Sequence, residues 1–324
     1  MQRRPALAFA LYAAALGDTF AQARRTSRVA FVEAGSATAN AHFVEAFRSG
    51  MRELGYVEGR SLALDVRWAE GQGERFTRHF AELLNLDPDV LVVASSLGAV
   101  TAKKSVTKLP VVFVGVSDPV GLGLVANLAR PGGNFTGLSR VFDGGLLGKS
   151  LQLLKEVAPS ASRVAYLWNA VGGVELQVQQ TLRAMQVLGL QPFSVEVREP
   201  SDFEDAFARM RKQSIGGLLV ITDPLTLQHR VRIVTLAAAL RVPAVYEFAE
   251  FARAGGLISY SASVPALFRR AATYVDKILR GTPAGNLPVE QPTRFDLVVN
   301  LKTARALGLS IPRAVLLSAD EVIE

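Results

Sequence analysis

The sequence has 324 residues but contains no cysteine and only three histidines, His42, His79 and His229. The absence of cysteine excludes a disulfide scaffold, a cysteine-ligated zinc or iron–sulfur site, a thiol nucleophile and a lipid-modified N-terminal cysteine. Because the histidines are spread along the chain, a histidine-rich metal site is not expected either. The sequence therefore predicts no cofactor.

Blocks of like charge are also missing. The 36 basic and 29 acidic residues give a net charge of +7, but they are interspersed, and no Lys/Arg run exceeds two residues. This pattern favours solubility over a nucleic-acid footprint, so no nucleic-acid partner is expected. With 49% hydrophobic and 20% charged residues the chain is too apolar for a disordered protein, and its length suggests two domains.

A hydrophobic run of the length that a membrane span requires, about 20 residues, is absent, but a shorter one lies near the N-terminus. Residues 6–16 are apolar, Arg3 and Arg4 precede them, and Ala21-Gln22-Ala23 follows as an A-x-A cleavage site. These three parts predict a secretory signal over residues 1–23. The mature protein is then expected in the periplasm of a Gram-negative bacterium. An uncleaved core helix is the alternative.

Beyond Arg28, short β-branched apolar runs alternate with longer segments of helical periodicity. Strands are predicted at residues 29–32, 62–68, 90–93 and 111–114, with amphipathic helices at 39–54, 73–86 and 98–108. Continuous apolar strands that alternate with helices are typical of a parallel sheet covered on both faces. The predicted fold class is therefore α/β.

The same pattern is repeated in the second half of the chain. Three segments recur in the same order: residues 27–32 as 162–167, 90–93 as 218–221, and 109–113 as 242–246. Any one of these matches could arise by chance, because apolar strands look alike. Their shared order predicts two similar doubly wound lobes, and one large sheet is the alternative.

Glycine-rich stretches are the expected connections between the lobes, because Gly and Pro stop helices and permit bends. They occur at residues 130–137, 254–256 and 281–285. If all three are crossings, the lobes exchange strands and are joined by a three-strand hinge. A simple two-domain chain with one linker is the alternative.

Two glycine-rich motifs resemble nucleotide-binding loops but lack features that those loops require. Residues 143–150 (DGGLLGKS) have Asp143 where a P-loop needs glycine, and no apolar strand precedes them. Residues 121–126 (GLGLVA) are separated from the preceding strand by four residues, unlike a dinucleotide-binding fingerprint. Each motif is interpreted as a turn that leads into a helix.

Small polar residues follow the predicted strands in both halves, where the carboxyl ends of parallel strands and the helix N-termini face a ligand crevice. We expect Ser36, Ser95 and Ser96 to bind a carboxylate, and Asp118 or Asp223 to accept hydrogen bonds from an ammonium group. Ordinary helix N-capping is the alternative for each, as core burial is for the nearby tyrosines. The candidate ligand-binding residues are Gly35, Ser36, Ser95, Ser96, Ser117, Asp118, Asn169, Thr222, Asp223, Tyr246 and Tyr260.

Several longer motifs connect the chain to a known family. They are residues 53–59 (ELGYVEG), 67–71 (RWAEG), 115–121 (GVSDPVG), 129–134 (ARPGGN), 136–137 (TG), 255–260 (GGLISY), 287–293 (LPVEQPT), 300–304 (NLKTA) and 319–324 (ADEVIE). In these motifs the chain resembles the periplasmic substrate-binding proteins of ABC transporters, of the tryptophan/tyrosine (TrpX-like) type. The resemblance extends over nearly all of the mature chain.

The resemblance implies the type I periplasmic-binding-protein fold, with two α/β lobes, three crossover strands and a ligand cleft between the lobes. The lobes are expected to comprise residues 24–138 with 257–284, and residues 139–256 with 285–324. The implied function is capture of a small solute by hinge closure, an aromatic or apolar amino acid or a related carboxylate, for an ABC permease in the inner membrane. A monomer is expected.

Two loops depart from the pattern of the family. Asn169 is followed by Ala170 where relatives often have proline, and Glu33 is acidic where many relatives are neutral. Both loops are expected to face the cleft, so the resemblance implies the fold more directly than the ligand.

Two other functions are compatible with such a chain. A binding protein that passes a ligand signal to a receptor would share the fold, and only its partner would distinguish it. An enzyme on a doubly wound scaffold would need a nucleophile–base pair or a metal cluster, and the sequence shows neither an HExxH nor a GxSxG motif. A transcription-factor relative would need an N-terminal helix-turn-helix where the export signal stands.

Overall fold

The computed structural model describes residues 26–140, 145–171 and 174–324, and in it the chain forms two α/β lobes. The expected export signal, residues 1–23, lies outside this part. Within the described residues, no helix is both long and apolar enough to cross a membrane.

The first lobe is built on a parallel sheet with the strand order β2-β1-β3-β4-β5. Its strands are β1 (Ser27–Glu33), β2 (Leu62–Trp68), β3 (Val90–Ala94), β4 (Val111–Val116) and β5 (Phe135–Ser139). Strands β3 and β4 are buried almost throughout, because helices cover both faces of the sheet. The predicted strands are confirmed.

The second lobe has a larger sheet with the order β12-β11-β10-β9-β8-β6-β7. Its strands are β6 (Arg163–Asn169), β7 (Gln191–Val197), β8 (Gly217–Val220), β9 (Ala244–Tyr246), β10 (Ile258–Ala262), β11 (Phe295–Asn300) and β12 (Glu321–Ile323). All neighbouring pairs are parallel except β10 with β11.

The repeat predicted from the sequence is confirmed by these strand orders. The order β7-β6-β8-β9-β10 in the second sheet is the order β2-β1-β3-β4-β5 of the first. The three recurring segments lie on the corresponding strand pairs β1 and β6, β3 and β8, and β4 and β9. Each half of the chain therefore brings the same strand ends to one edge of its sheet.

Helices cover both sheets. The first six helices are α1 (Ala37–Glu53), α2 (Gly73–Leu84), α3 (Ser96–Ser105), α4 (Gly145–Val157), α5 (Glu175–Val187) and α6 (Asp202–Lys212). The six that follow are α7 (Pro224–Gln228), α8 (Arg230–Leu240), α9 (Ala249–Arg253), α10 (Val264–Leu279), α11 (Leu301–Leu307) and α12 (Arg313–Leu317).

Helix α10 follows a strand of the second lobe but packs on the first, where its main partner is α1. The two helices approach closely at Gly50, where an added Cβ would lie 2.5 Å from the carbonyl oxygen of Arg269 and 2.7 Å from Ala272 Cβ. Only glycine fits at this contact. Phe268 of α10 also stacks on Phe43 of α1, with ring centroids 5.1 Å apart.

The chain passes between the lobes after β5, after β10 and before β11, so the described part shows three connections. The first follows residues 130–137 and lies at the expected boundary between residues 138 and 139, whereas the other two lie away from the predicted stretches. Residues 130–137 lead into β5, residues 254–256 connect α9 to β10, and residues 281–285 follow α10, each within one lobe. These glycines serve tight turns instead, as the positive φ values of Gly255 and Gly281 indicate.

The expected lobe boundaries are accordingly wrong in two places. Residues 258–262 were expected in the first lobe, but as β10 they pair with β9 and β11 of the second. Residues 285–290 were expected in the second lobe but run beside β5 of the first. There the Ser139 N–H donates to the carbonyl of Glu290 at 2.9 Å, and the Glu290 N–H donates to that of Gly137 at 3.1 Å.

Candidate functional site

A cleft lies between the two lobes at the carboxyl ends of their strands. The empty space between the lobes, including the part open to solvent, is about 580 Å³. The residues that line it come from both lobes: Glu33, Ala34, Asn40, Phe43, Ala94, Ser95, Ser96, Val114, Gly115, Arg140, Val174, Thr222, Asp223, Pro224, Leu227, Phe248, Val264 and Phe268. The cleft therefore combines a few polar groups with an apolar wall.

Glu33, the last residue of β1, is the acidic group of the first lobe in the cleft, and it is only 2% exposed. Its Oε1 accepts hydrogen bonds from Asn40 Nδ2 at 2.8 Å and from the Gly35 N–H at 3.3 Å. Its Oε2 has no hydrogen-bond partner among the described residues. Desolvation raises the pKa of this carboxyl to about 7, although the hydrogen bond from Asn40 opposes the shift.

The start of α3 presents two serines to the same cleft. Ser95 caps the helix, since its Oγ accepts from the Gly98 N–H at 3.2 Å. Its backbone stands at φ 75° and ψ 157°, a region that residues other than glycine rarely adopt and that costs on the order of 1–3 kcal/mol. Ser96 Oγ lies 3.0 Å from Ser117 Oγ and accepts from the Ser117 N–H at 3.2 Å. Because a helix N-terminus favours anions, this end of α3 is a candidate anion site.

The second lobe contributes Thr222 and Asp223, which follow β8. Asp223 caps α7: its Oδ1 accepts from the Thr226 N–H at 2.9 Å, and its Oδ2 accepts from Asn169 Nδ2. Both carboxylate oxygens are therefore occupied by the protein itself. Thr222 Oγ1, in contrast, is buried without a hydrogen-bond partner in the described part of the chain.

A buried ion pair connects the lobes beside the cleft. Arg140, directly after β5, donates from Nη1 to Glu247 Oε2 at 2.9 Å and from Nη2 to the carbonyl of Thr222 at 3.0 Å. The Thr222 N–H completes the network with a 2.8 Å bond to Glu247 Oε2. The side-chain amide of Gln177 satisfies its neighbours when its oxygen faces Arg140 and Ser117. In that orientation the oxygen accepts from Arg140 Nη2 at 2.6 Å and from Ser117 Oγ at 3.0 Å. This network joins residues of both lobes.

The apolar wall is largely aromatic. Phe43 and Phe268 stack on each other in the first lobe, and Phe248 of the second lobe lies beneath the Arg140 guanidinium at 5.9 Å. Farther out, His42 Nε2 lies 3.0 Å from Glu250 Oε1, so α1 and α9 also touch across the lobes. A flat apolar or aromatic group would find its complement on this wall.

The structure brings four of the candidate residues into the cleft wall, namely Ser95, Ser96, Thr222 and Asp223. Four others support that wall from behind. Ser117 and Asn169 bond to Ser96 and Asp223, and Ser36 caps α1 through the Ala39 N–H at 3.3 Å. At Gly35 an added Cβ would lie 2.4 Å from Asn40 Nδ2, so glycine leaves room for the amide that holds Glu33.

Three candidates do not lie in the cleft. Asp118 caps a turn, where its Oδ1 accepts from the Gly121 N–H at 2.8 Å. Tyr246 is fully buried and stacks on Phe251 with centroids 4.9 Å apart, and this burial raises the pKa of its hydroxyl. Tyr260 stacks on Phe295 at the second sheet, away from the cleft. Asp118, Tyr246 and Tyr260 therefore do not have the expected places in the cleft wall.

The cleft residues Asn40, Arg140 and Phe248 were not predicted from the sequence. The loop of Glu33 was expected to face the cleft, but Glu33 itself was not among the candidate ligand-binding residues. Arg140 carries no comparable signal, because the strand that it follows, β5, was not among the predicted strands. In the described part, no group of His, Asp or Glu side chains could hold a metal ion.

The fold and this cleft define a two-lobed binding protein, and comparison with known proteins identifies its family. The family model described as ABC transporter substrate binding protein matches residues 28–323. This match covers well over half of the chain, so the chain belongs to that family. The resemblance drawn from the sequence motifs is confirmed.

Individual relatives are distant in sequence. The chain is 22% identical to a tyrosine-binding protein of Clostridioides difficile over 277 residues, which cover 85% of this chain and 78% of the relative. A Streptococcus pneumoniae ABC domain solved in complex with L-Trp is 21% identical, with a TM-score of 0.86 over 92% of this chain and all of that one.

A ligand-free, open substrate-binding protein with adhesive properties from Clostridium difficile is also 21% identical. Its TM-score is 0.68 over 92% of this chain and 99% of that one. These likenesses confirm the expected type I periplasmic-binding fold.

Proposed function

We propose that the protein is the solute-binding component of an ABC importer that captures an aromatic or apolar amino acid, or a related carboxylate, between its lobes. The observation that carries this proposal is the cleft itself, in which a helix N-terminus and an aromatic wall face residues of the other lobe. The tyrosine-binding relative and the L-Trp complex support the same ligand class. After export by the signal at residues 1–23, a monomer would deliver its ligand to a permease in the inner membrane.

In the proposed complex, the residues of the cleft have different tasks. The N–H groups at the start of α3, with Ser95 and Ser96, bind the ligand carboxylate. The stacked rings of Phe43 and Phe268 receive the apolar side chain. Thr222 Oγ1 gains the hydrogen-bond partner that the protein does not supply.

Closure then joins these groups around the ligand. The second lobe rotates about the three connections and brings Thr222 and Phe248 over a ligand that already contacts the first lobe. The Arg140–Glu247 pair lies beside the cleft and holds the lobes in the closed arrangement. The permease would recognise this closed form.

Thermal denaturation of the purified protein with a panel of L-amino acids, aromatic acids, sugars and nucleosides tests the proposal. A compound that binds only the folded state stabilises it by about 2.7 kcal/mol at a hundredfold excess over its Kd. We expect the midpoint to rise with Tyr, Trp or Phe and to stay unchanged with sugars and nucleosides. A shift with sugars or nucleosides alone would contradict the proposed ligand class.

A further inference from the structure

The carboxyl of Glu33 lies in the cleft without a complete set of hydrogen-bond partners. This suggests which group of the ligand it binds. The carboxyl of Glu33 is 2% exposed, lines the cleft, and has one oxygen, Oε2, without a hydrogen-bond partner among the described residues. A buried acceptor that stays unpaired is costly, so a ligand donor that reaches it contributes strongly to binding.

Resting on the proposed function, we infer that Glu33 accepts the protonated amine of the ligand and makes the cleft selective for ligands that carry one. The acceptor expected from the sequence, Asp118 or Asp223, does not meet this need. Asp118 lies outside the cleft, and both oxygens of Asp223 already accept hydrogen bonds, from Thr226 N–H and Asn169 Nδ2.

The charges around Glu33 leave room for a cationic ligand group. On its own side of the cleft, His42 of α1 interacts electrostatically with Glu33, and its Nε2 lies 3.0 Å from Glu250 Oε1 of α9. From the other elements that line the cleft, Arg140 and Asp223 face the same space. Arg140 is bound to Glu247, and among the described residues no Lys or Arg forms an ion pair with Glu33.

The two charged groups of an amino acid then match two sites on the first lobe. The α3 N-terminus at Ser95 and Ser96 suits the carboxylate, and Glu33 at the neighbouring strand end suits the ammonium. Strands β1 and β3 are adjacent in the sheet, so both sites lie at one edge. The first lobe alone thereby distinguishes an amino acid from a simple carboxylic acid.

The first test compares E33Q with the control E74Q, the same substitution on the exposed first turn of α2, by titration calorimetry with L-tyrosine and L-tryptophan. Each amino acid is paired with its analogue that lacks the amine, 3-(4-hydroxyphenyl)propanoate or indole-3-propanoate. We expect E33Q to weaken amino-acid binding at least about thirtyfold, since it removes one charge of a buried pair, and to change analogue binding by less than about threefold. E74Q should bind like the wild type.

The outcomes separate the two proposals. If the wild type binds L-tyrosine or L-tryptophan and E33Q binds them equally well, the role of Glu33 is wrong and the proposed function stands. The same holds if the wild type prefers the analogues without an amine. If the wild type binds neither amino acids nor aromatic acids, the proposed function itself is wrong.

A second test needs only the wild type and does not depend on the folding of a variant. A ligand ammonium requires ionised Glu33, so a protonated carboxyl must lose its proton to solvent on binding. With a pKa of about 7, binding at pH 6 should release close to one proton per ligand, and at pH 8 about a tenth of that. Calorimetry in buffers of different ionisation enthalpy measures this number. Equal release at both pH values would overturn the inference.

Discussion

The two lobes have the same strand order but differ in the polar atoms that they present to the cleft without a partner. In the first lobe this atom is Glu33 Oε2, a carboxylate oxygen. In the second lobe it is Thr222 Oγ1, a neutral hydroxyl, while the charged groups Asp223 and Glu247 are bound by the protein. The duplicated scaffold therefore provides equivalent positions with different chemistry.

This difference suggests that the two lobes have different roles in ligand binding. A charged group that lacks a partner gains most from a ligand, whereas a neutral hydroxyl gains little. The first lobe is expected to select the ligand, and the second to close over it through groups that are already rigidly bonded. The strained backbone of Ser95 in the first lobe agrees with this view, because such strain concentrates at ligand sites.

The largest effect is expected from breaking the network that connects the lobes. In R140M the Glu247 carboxylate, whose side chain is 2% exposed, loses its cation, and removing one partner of a buried pair costs about 3–5 kcal/mol. The double variant R140M/E247Q, which removes the charge as well, should recover most of this loss. Urea denaturation followed by circular dichroism measures both. A loss below about 1 kcal/mol in R140M would show that the network does not hold the lobes.

The next effect concerns the charged group of the first lobe. The pKa of Glu33 is raised from 4.5 to about 7, so the folded state holds its proton more tightly than the unfolded state. The contribution of this proton to the free energy of unfolding is complete below pH 4.5 and is lost as the pH rises through about 7. E33Q should thus exceed the wild type in unfolding free energy by up to roughly 3 kcal/mol at pH 8, with no such difference at pH 4.

Unfolding experiments on E33Q, E74Q and the wild type at pH 4 and pH 8 measure this difference without a ligand. If E33Q is less stable than the wild type at pH 8, Glu33 is a structural anchor of β1 and α1 instead. The first lobe would then not select the ligand through Glu33.

A smaller effect is expected from the helix caps, one in each lobe. Loss of a capping side chain costs about 0.5–2 kcal/mol. D223A should lie at the upper end, because Asp223 caps α7 and also holds Asn169, whereas S36A removes a single 3.3 Å bond to the start of α1. D223N serves as the control that keeps one capping oxygen. Equal losses in thermal unfolding would mean that the Asn169 contact adds nothing.

The smallest effect on stability is expected at Thr222. Its Oγ1 has no partner in the described part of the chain, so T222V should change the unfolding free energy by less than about 1 kcal/mol. If the hydroxyl bonds to the ligand, T222V should weaken binding about three- to tenfold, far less than E33Q. A loss in T222V as large as that in E33Q would reverse the roles of the two lobes.

Much of the fold was predictable because its signals are local. Runs such as Val90 to Val93 are apolar without interruption, which is typical of strands buried on both faces, and their repeat predicted two lobes. Two of the crossings were misplaced because glycine marks any tight turn, and Gly255 and Gly281 serve turns inside a lobe. Whether a turn joins elements of one lobe or of two depends on packing that no local pattern records.

The cleft was only partly predictable. The small polar residues after β3 and β8 were found, since strand ends and helix starts are visible in the sequence. Tyr246 and Asp118 were misassigned because a position near a strand end does not fix whether a side chain turns into the core, into a turn or into the cleft. Arg140 and Glu247 are 107 residues apart, and only folding brings them together.

Hydrophobic periodicity and contiguous motifs were enough to predict the α/β class, the duplication into two lobes and the family. The tertiary structure decided which strand ends meet, that Glu33 is buried with one oxygen unpartnered among the described residues, and that Asp223 is satisfied by its neighbours. Desolvation and hydrogen-bond satisfaction arise between residues far apart in the chain. They can therefore be assigned only once those residues are placed in space.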